Sequence, residues 1–183
     1  GEARRALFMH ADPVASYPHR WLRPVAGPDR VDHMFERFWR YLRRLSLGFD
    51  AAVAGSAWLA HRLRSHGLPG VEAVRLGIDR DAFSPTLRDE ALRADLLRAC
   101  ALPASATLLI GVGRHHPEKR WPMVVAAATA VAAERPLGLV LVGDGLDRAA
   151  VVRAAGDNPH VRLVAPIRDR PLLARMLASA DAL

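Results

Sequence analysis

Arg114, His115, His116, Glu118 and Lys119 crowd into one short stretch, directly after the apolar run Leu108 to Val112 and the glycines Gly111 and Gly113. Cations on a glycine loop are suited to holding an anion, because glycine lets the backbone turn sharply and approach a ligand while the cations neutralise it. Of the 26 basic residues in the chain, Lys119 is the only lysine. A lysine ammonium is a compact point charge and an arginine guanidinium a planar fork, so the one exception falls where a phosphate would favour it. The plainer reading of the same residues is a set of solvated loop charges.

Three other chemistries fit less well. His115, His116 and Glu118 are metal-ligand types, but adjacent histidines on extended backbone point to opposite sides and no second cluster accompanies them, so no metal site is expected. A dinucleotide fingerprint needs a third glycine, where this chain has His115 and His116 after Gly113. A Walker loop needs glycine before and a hydroxyl residue after its lysine, but Lys119 is flanked by Glu118 and Arg120.

The elements around the loop follow from periodicity. Leu108 to Val112 reads as a buried strand of a parallel sheet that stops at Gly111 and Gly113. Trp121 to Glu134 is Ala- and Val-rich and reads as a helix with Pro122 in its first turn. Strand, glycine loop and helix together form a common anion-binding place in open α/β sheets. The next strand is expected at Leu137 to Val142, ending in Gly143-Asp144-Gly145. A helix follows to Ala155, then a strand over Val161 to Val164 and a helix over Arg170 to Ala180. Asp181 to Leu183 would begin a further strand.

The preceding half alternates in the same way. A short buried strand is expected from Arg5 to His10. A Pro- and Gly-rich loop from Asp12 to Asp29 carries Tyr17, His19 and Trp21. An amphipathic helix runs from Val31 to Leu47, with Val31, Met34, Phe35, Phe38, Leu42 and Leu45 at helical spacing and Gly48 as C-cap. A strand over Asp50 to Ala54 leads to a helix capped by Ser56 and ending near His66. Val71 to Leu76 is a strand, Arg80 to Pro85 a crossover, and Leu87 to Cys100 a helix. Alternating strands and helices predict α/β architecture with parallel sheets.

Composition narrows the function classes. The hydrophobic share of 51% over 183 residues suffices for one large core or two small ones. No run of 18 apolar residues predicts a membrane span, and no signal peptide is expected from Gly1 to Arg5. A lone cysteine, Cys100, gives no disulfide framework and fits a reducing cytoplasm. The net charge of +7 could serve nucleic acid or an anionic membrane. The arginines are spread over the whole length, however, and aromatic residues, at 6%, do not interleave with a basic strand face, so no nucleic-acid partner is expected.

Several motifs, in order, resemble those of retaining glycosyltransferases of family 4, which have the GT-B arrangement of two facing Rossmann-like domains. Asp50 to Ser56, followed by Ala57-Trp58-Leu59, resembles the family's "D-x-V-x-A-x-S" strand and serine-led helix. Val74 to Asp79 with Phe83-Ser84-Pro85 resembles its "P-N-G-V-D…F-x-P" hinge. Gly113 to Lys119 resembles "G-R-x-x-x-E-K", and Val140 to Gly145 resembles "I-V-G-D-G". Val161 to Ile167 and Leu173 to Asp181 resemble "V-x-F-x-G-x-V" and "L-x-x-x-Y-x-x-A-D". The resemblance covers roughly residues 50–183. Leu76 stands where the family has Asn, Arg120 where it has Gly, and Pro166 where it has Gly.

The resemblance implies parts of two domains, incomplete at both ends. Residues 1–80 would belong to the acceptor-side domain, 81–86 to a linker and 87–183 to the first half of the nucleotide-sugar domain. It implies transfer of a sugar from a nucleotide-diphosphate donor to a glycan, lipid-linked or small-molecule acceptor, with retention of configuration. No metal and no cofactor are implied. Arg114 and Lys119 would hold the diphosphate, with Gly113 and the turn Gly143-Asp144-Gly145 bringing backbone amides close. Ile167 and Arg168 would lie at the base, and His10 would face donor sugar and acceptor. The family's paired glutamates would lie beyond Leu183, so the segment would be inactive alone. The implied place is the cytoplasm, with helix 31–47 able to touch the inner face of a membrane. Two other readings are a nicotinamide-dependent enzyme using Gly111, Gly113 and Asp144, and a basic nucleic-acid or membrane-binding module.

Overall fold

The computed structural model describes residues 3–16, 18–22 and 24–183; Tyr17 lies outside them. The chain divides into two compact units, one ending at Gly77 and the other beginning at Ile78.

The first unit is built on a three-stranded parallel sheet, β1 (Ala6–Met9), β2 (Ala51–Ala54) and β3 (Val71–Ala73), in that spatial order. Its helices are α1 (Pro13–Ser16), α2 (Pro18–Leu22), α3 (Pro28–Met34), α4 (Glu36–Ser46) and α5 (Ala57–Ser65). Val14, Val31, Trp39, Leu42, Leu59 and Leu63 close over Ala52 and Ala54 to form the core. Ser56 caps α5 as expected, its hydroxyl accepting from the Leu59 N–H at 3.1 Å.

Five expectations for this unit are corrected. β1 alternates exposed and half-buried residues, because among the described residues it pairs only with β2, at the edge of the sheet. The stretch expected as loop from Asp12 to Asp29 holds α1, α2 and the start of α3. Each begins on a proline, whose fixed φ suits a first helical turn, and the Asp12 carboxylate caps α1 by accepting from Val14 and Ala15 N–H at 2.8 and 2.9 Å. The helix expected from Val31 to Leu47 is interrupted at Phe35 (φ −97°, ψ 15°). There one N–H is shared between the Val31 and Asp32 carbonyls, which tightens the turn while the apolar periodicity runs on unbroken. Leu47, not Gly48, caps α4, and β3 ends three residues earlier than expected, at Ala73.

The second unit carries β4 (Thr107–Val112), β5 (Leu137–Val142) and β6 (Val161–Val164), all parallel and in that order. Helices α6 (Glu90–Ala99) and α9 (Arg170–Ser179) cover one face, and α7 (Trp121–Ala132) and α8 (Arg148–Ala155) the other. β5 is buried along its whole length. Val140 and Val142 pack with Leu97, Leu108, Ile110 and Met176, while Leu137, Leu139 and Leu141 pack with Val125 and Val151. Both faces of the strand are therefore apolar, which produces the continuous hydrophobic run in the sequence. Gly111 is a strand residue rather than its end. A Cβ there would come within 2.7 Å of the Leu141 and Trp121 side chains, so glycine makes room for the indole.

Candidate functional site

The candidate site forms where β4, β5 and β6 end. The Gly113 N–H donates to the Val142 carbonyl at 3.0 Å, and the Gly143 N–H donates to the Val164 carbonyl at 2.9 Å. These bonds continue the ladders past the strands and hold the three loops at one edge.

His115 then stitches two of the loops together. Its N–H donates to the Asp144 carbonyl at 2.8 Å, and its carbonyl accepts from the Asp147 N–H at 2.8 Å. A Cβ on Gly143 would lie 2.0 Å from the Gly113 carbonyl oxygen, and one on Gly145 would lie 2.5 Å from that of His115. Both glycines have φ near +152°, a conformation that side chains disfavour. Gly143 and Gly145 are therefore required for loop to approach loop. The expectation that they free amides for a ligand is modified: the Gly113 and Gly143 N–H groups are bonded to strand carbonyls, and that of Gly145 donates to its neighbour Asp144 Oδ1 at 2.8 Å. Among the described residues of the loops after β4 and β5, the N–H groups of Arg114, Asp144 and Leu146 have no protein acceptor.

The cations stand outside this frame. The Arg114 side chain is 78% exposed, with Glu118 at 3.7 Å. Its carbonyl accepts from the Trp121 indole N–H at 3.0 Å, so the helix after the loop holds the backbone that carries the guanidinium. Lys119 closes a single 3-10 turn, Pro117–Lys119. Its side chain is exposed and makes no ion pair among the described residues. Arg120, where the resembled motif has glycine, adopts left-handed backbone (φ 52°, ψ 35°). Asp144 is exposed and lies 3.9 Å from Arg148. Ile167 is half-buried against the core beneath β6, and Arg168 is exposed beside it. His10 belongs to the first unit, where it follows β1, is exposed, and meets Phe8 edge-on at 4.5 Å.

Topology gives this edge its meaning. β5 and β6 lie on one side of β4. After α9 the chain returns to the other side, where Ala182 bridges Leu109 in parallel, Asp181 N–H donates to Leu108 C=O and Ile110 N–H to Ala182 C=O. The chain thus leaves β4 in both directions, and the crevice outside its carboxyl end is a topological switch point, where open α/β sheets bind ligands. The Asp181 carboxylate anchors the return by accepting from Leu108 N–H at 2.8 Å and Arg93 Nη2 at 2.7 Å. Burial alone would raise the Asp181 pKa, but Arg93 and the Leu108 N–H outweigh it and hold the carboxyl below its ordinary range.

Sequence reasoning missed three positions. Its treatment of His115 as a metal-ligand type overlooked a fully buried residue whose backbone joins the loops. Trp121 read only as the start of a helix. The buried Arg93, which donates to the Ala104 and Ala106 carbonyls as well as to Asp181, looked like one more helix arginine. Among the described residues no group of three or more His, Cys, Asp or Glu could hold a metal ion.

Comparisons with known proteins bear on this geometry. No family model matches the chain. A GDP-mannose-dependent alpha-mannosyltransferase of Mycobacterium tuberculosis is 34% identical over 111 residues, which are 61% of this chain and 27% of that protein. Its counterpart from Mycolicibacterium smegmatis is 34% identical over 110 residues, 60% of this chain and 27% of that protein. The match thus spans about a quarter of these relatives' length. Among solved structures, HepE of Anabaena in complex with UDP and glucose superposes with a TM-score of 0.61 and 17% identity, over 97% of this chain and 45% of that one. HepE in complex with UDP gives 0.62 and 16%, over 96% and 51%. A glycosyltransferase from Rickettsia africae gives 0.58 and 11%, over 97% and 50%. The fold of the chain, two parallel three-stranded sheets covered by helices, is the α/β fold of these solved structures.

Proposed function

We propose that this chain carries the diphosphate-binding part of a glycosyltransferase that takes a sugar from a nucleotide-diphosphate donor and keeps its anomeric configuration. One observation carries the reading: at the switch point beside β4, Arg114, Lys119 and three unpartnered N–H groups gather on loops fixed by His115, Gly143 and Gly145. The relatives named as GDP-mannose-dependent mannosyltransferases and the neighbours bound to UDP support it.

In this reading the donor's diphosphate lies against Arg114 and Lys119. The N–H groups of Arg114, Asp144 and Leu146 add preorganised dipoles where charge develops as the sugar leaves. Two cations and three amides supply what a divalent metal supplies elsewhere, and the reaction is metal-independent. Ile167 gives the nucleoside base an apolar floor, and Arg168 offers it donors. The acceptor is a glycan, a lipid-linked sugar or a small molecule, and His10 is the candidate of the first unit for meeting it. The nicotinamide alternative is disfavoured because His116 stands where a dinucleotide loop carries its third glycine.

Calorimetric titration of the 183-residue chain with GDP-mannose, UDP-glucose, GDP, guanosine and NAD tests the reading. Saturable binding of a sugar nucleotide and its diphosphate, with the bare nucleoside much weaker, is the expected result. Binding of NAD in preference to every sugar nucleotide would overturn it.

A further inference from the structure

We propose that Arg120 is a further binding residue for the donor's diphosphate, kept in the loop at a cost to the stability of the fold, an assignment that rests on the diphosphate reading of the site. Arg120 stands where the resembled motif has glycine, and its backbone takes the conformation that suits glycine (φ 52°, ψ 35°). Among the described residues the other non-glycine residue with positive φ is Ala101, which follows the C-cap of α6, a common place for left-handed backbone. Arg120 is held there from both sides. Its N–H donates to the Pro117 carbonyl at 3.2 Å, and its carbonyl accepts from the Met123 and Val124 N–H groups at 2.9 and 3.3 Å, where α7 begins. These bonds fix φ and ψ, so glycine would relax the turn that arginine strains.

Neither packing nor pairing explains an arginine at this position. The residue is exposed, and among the described residues its guanidinium has no carboxylate partner, whereas Arg114 has Glu118 at 3.7 Å. Backbone strain that no internal contact offsets marks a position held for function. The function follows from the neighbours. Arg120 directly follows Lys119, with consecutive Cα atoms about 3.8 Å apart, in the loop that carries Arg114. Residues 113–120 hold three cations, Arg114, Lys119 and Arg120, and one carboxylate, Glu118, a formal net of +2. The two phosphates of a sugar-nucleotide donor each carry a negative charge, so the whole loop balances them. Without Arg120, Glu118 would cancel one of the two remaining cations and leave half of the donor's charge unmatched. The planar guanidinium can also bond two phosphate oxygens at once, which the Lys119 ammonium matches only as a point charge.

The test separates charge from strain at position 120 in the 183-residue chain, by melting temperature and by calorimetric affinity for GDP without added metal. Arg120→Ala keeps the strained backbone and removes the charge, so affinity should fall about tenfold while the melting temperature stays unchanged. Arg120→Gly removes both, so affinity should fall as far while the melting temperature rises. Arg120→Lys keeps both and should bind GDP within about threefold of the parent. Guanosine, which lacks the phosphates, should bind the parent and all three variants alike. Arg135→Gln is the control for bulk charge. Arg135 is exposed beyond the far end of α7, next to Pro136, whose carbonyl accepts from the Thr107 N–H that opens β4. The length of α7 alone, at about 1.5 Å per residue, places it roughly 18 Å from the loop, beyond the Debye length of about 8 Å at physiological salt, so its loss should leave GDP affinity unchanged. GDP binding by the parent that Arg120→Ala and Arg120→Gly leave within about twofold would overturn the proposal alone. A lysine variant as weak as the alanine variant, or an equal loss in Arg135→Gln, would also overturn it. Absence of GDP binding by the parent would overturn the diphosphate reading and the proposal with it.

Discussion

Replacing Gly143 by alanine separates a glycine that holds two loops together from one that merely turns the chain. The added Cβ would sit 2.0 Å from the Gly113 carbonyl oxygen, where an ordinary contact is beyond 3 Å, so one loop must retreat by at least about 1 Å. Two bonds stand in the way of that retreat, Gly113 N–H to Val142 at 3.0 Å and His115 N–H to Asp144 at 2.8 Å. Losing both costs about 2 kcal/mol. Holding an alanine at φ near +152° adds about 1–2 kcal/mol. The sum is about 3–4 kcal/mol, a large share of the stability of a unit this small. With a urea m-value of about 2 kcal/mol per M, the midpoint should fall by about 1.5–2 M. The assay is urea unfolding followed by tryptophan fluorescence, with Trp121 lying against this loop. Gly77→Ala is the control, because its Cβ would meet nothing within 4 Å. A midpoint for Gly143→Ala within about 0.3 M of the parent would refute the claim that this glycine is fixed by loop packing.

Two further outcomes follow from backbone and charge. Arg120 holds a left-handed conformation that costs a non-glycine residue about 1–2 kcal/mol; glycine's greater freedom in the unfolded chain returns part of that, so Arg120→Gly should raise the melting temperature by about 2–6 °C, and a lower melting temperature would contradict it. In the first unit, Asp32 accepts from Arg62 at 2.7 Å and bonds His19 at 3.0 Å, while His66 lies stacked 3.9 Å from the Trp39 ring. Burial would raise the Asp32 pKa, but Arg62 and His19 outweigh it and hold it low; burial, then the neighbouring Arg62, also depress His66. Both groups bind fewer protons folded than unfolded, so stability falls on acidification, first below about pH 6.5 through His66 and again below about pH 4 through Asp32. Urea midpoints measured from pH 7.5 downward should show both losses, and His66→Gln should remove only the first; a flat profile between pH 7.5 and 5 would exclude the His66 contribution.

The second unit was legible because its signals were one-dimensional. β5 is a continuous apolar run that ends at a glycine turn, β6 follows Asn-Pro, and both occur at the residues expected. The first unit was harder. Its prolines at positions 13, 18 and 28 signal loop by composition, yet each opens a helix, because Asp12 supplies a cap and the tertiary core supplies Val14 and Val31 with partners. The interruption at Phe35 leaves no trace in hydrophobic spacing. The candidate site was legible as a set of cations near glycines, but not in how it is held. That His115 would be buried as a latch, or that Gly143 would yield to the Gly113 carbonyl rather than to a ligand, depends on loop-to-loop distances that no local pattern encodes.

The most direct test of the diphosphate site is the affinity of the 183-residue chain for GDP in the presence of EDTA, compared with that of the double variant Arg114→Ala, Lys119→Ala. The account predicts binding without added metal, weakened by at least about a hundredfold in the double variant. The two single losses should sum to something other than the double, because both cations serve one anion. Guanosine, which lacks the phosphates, should bind the parent and the double variant alike. Unchanged GDP affinity in the double variant, or affinity that arises only when a divalent metal is supplied, would contradict the account.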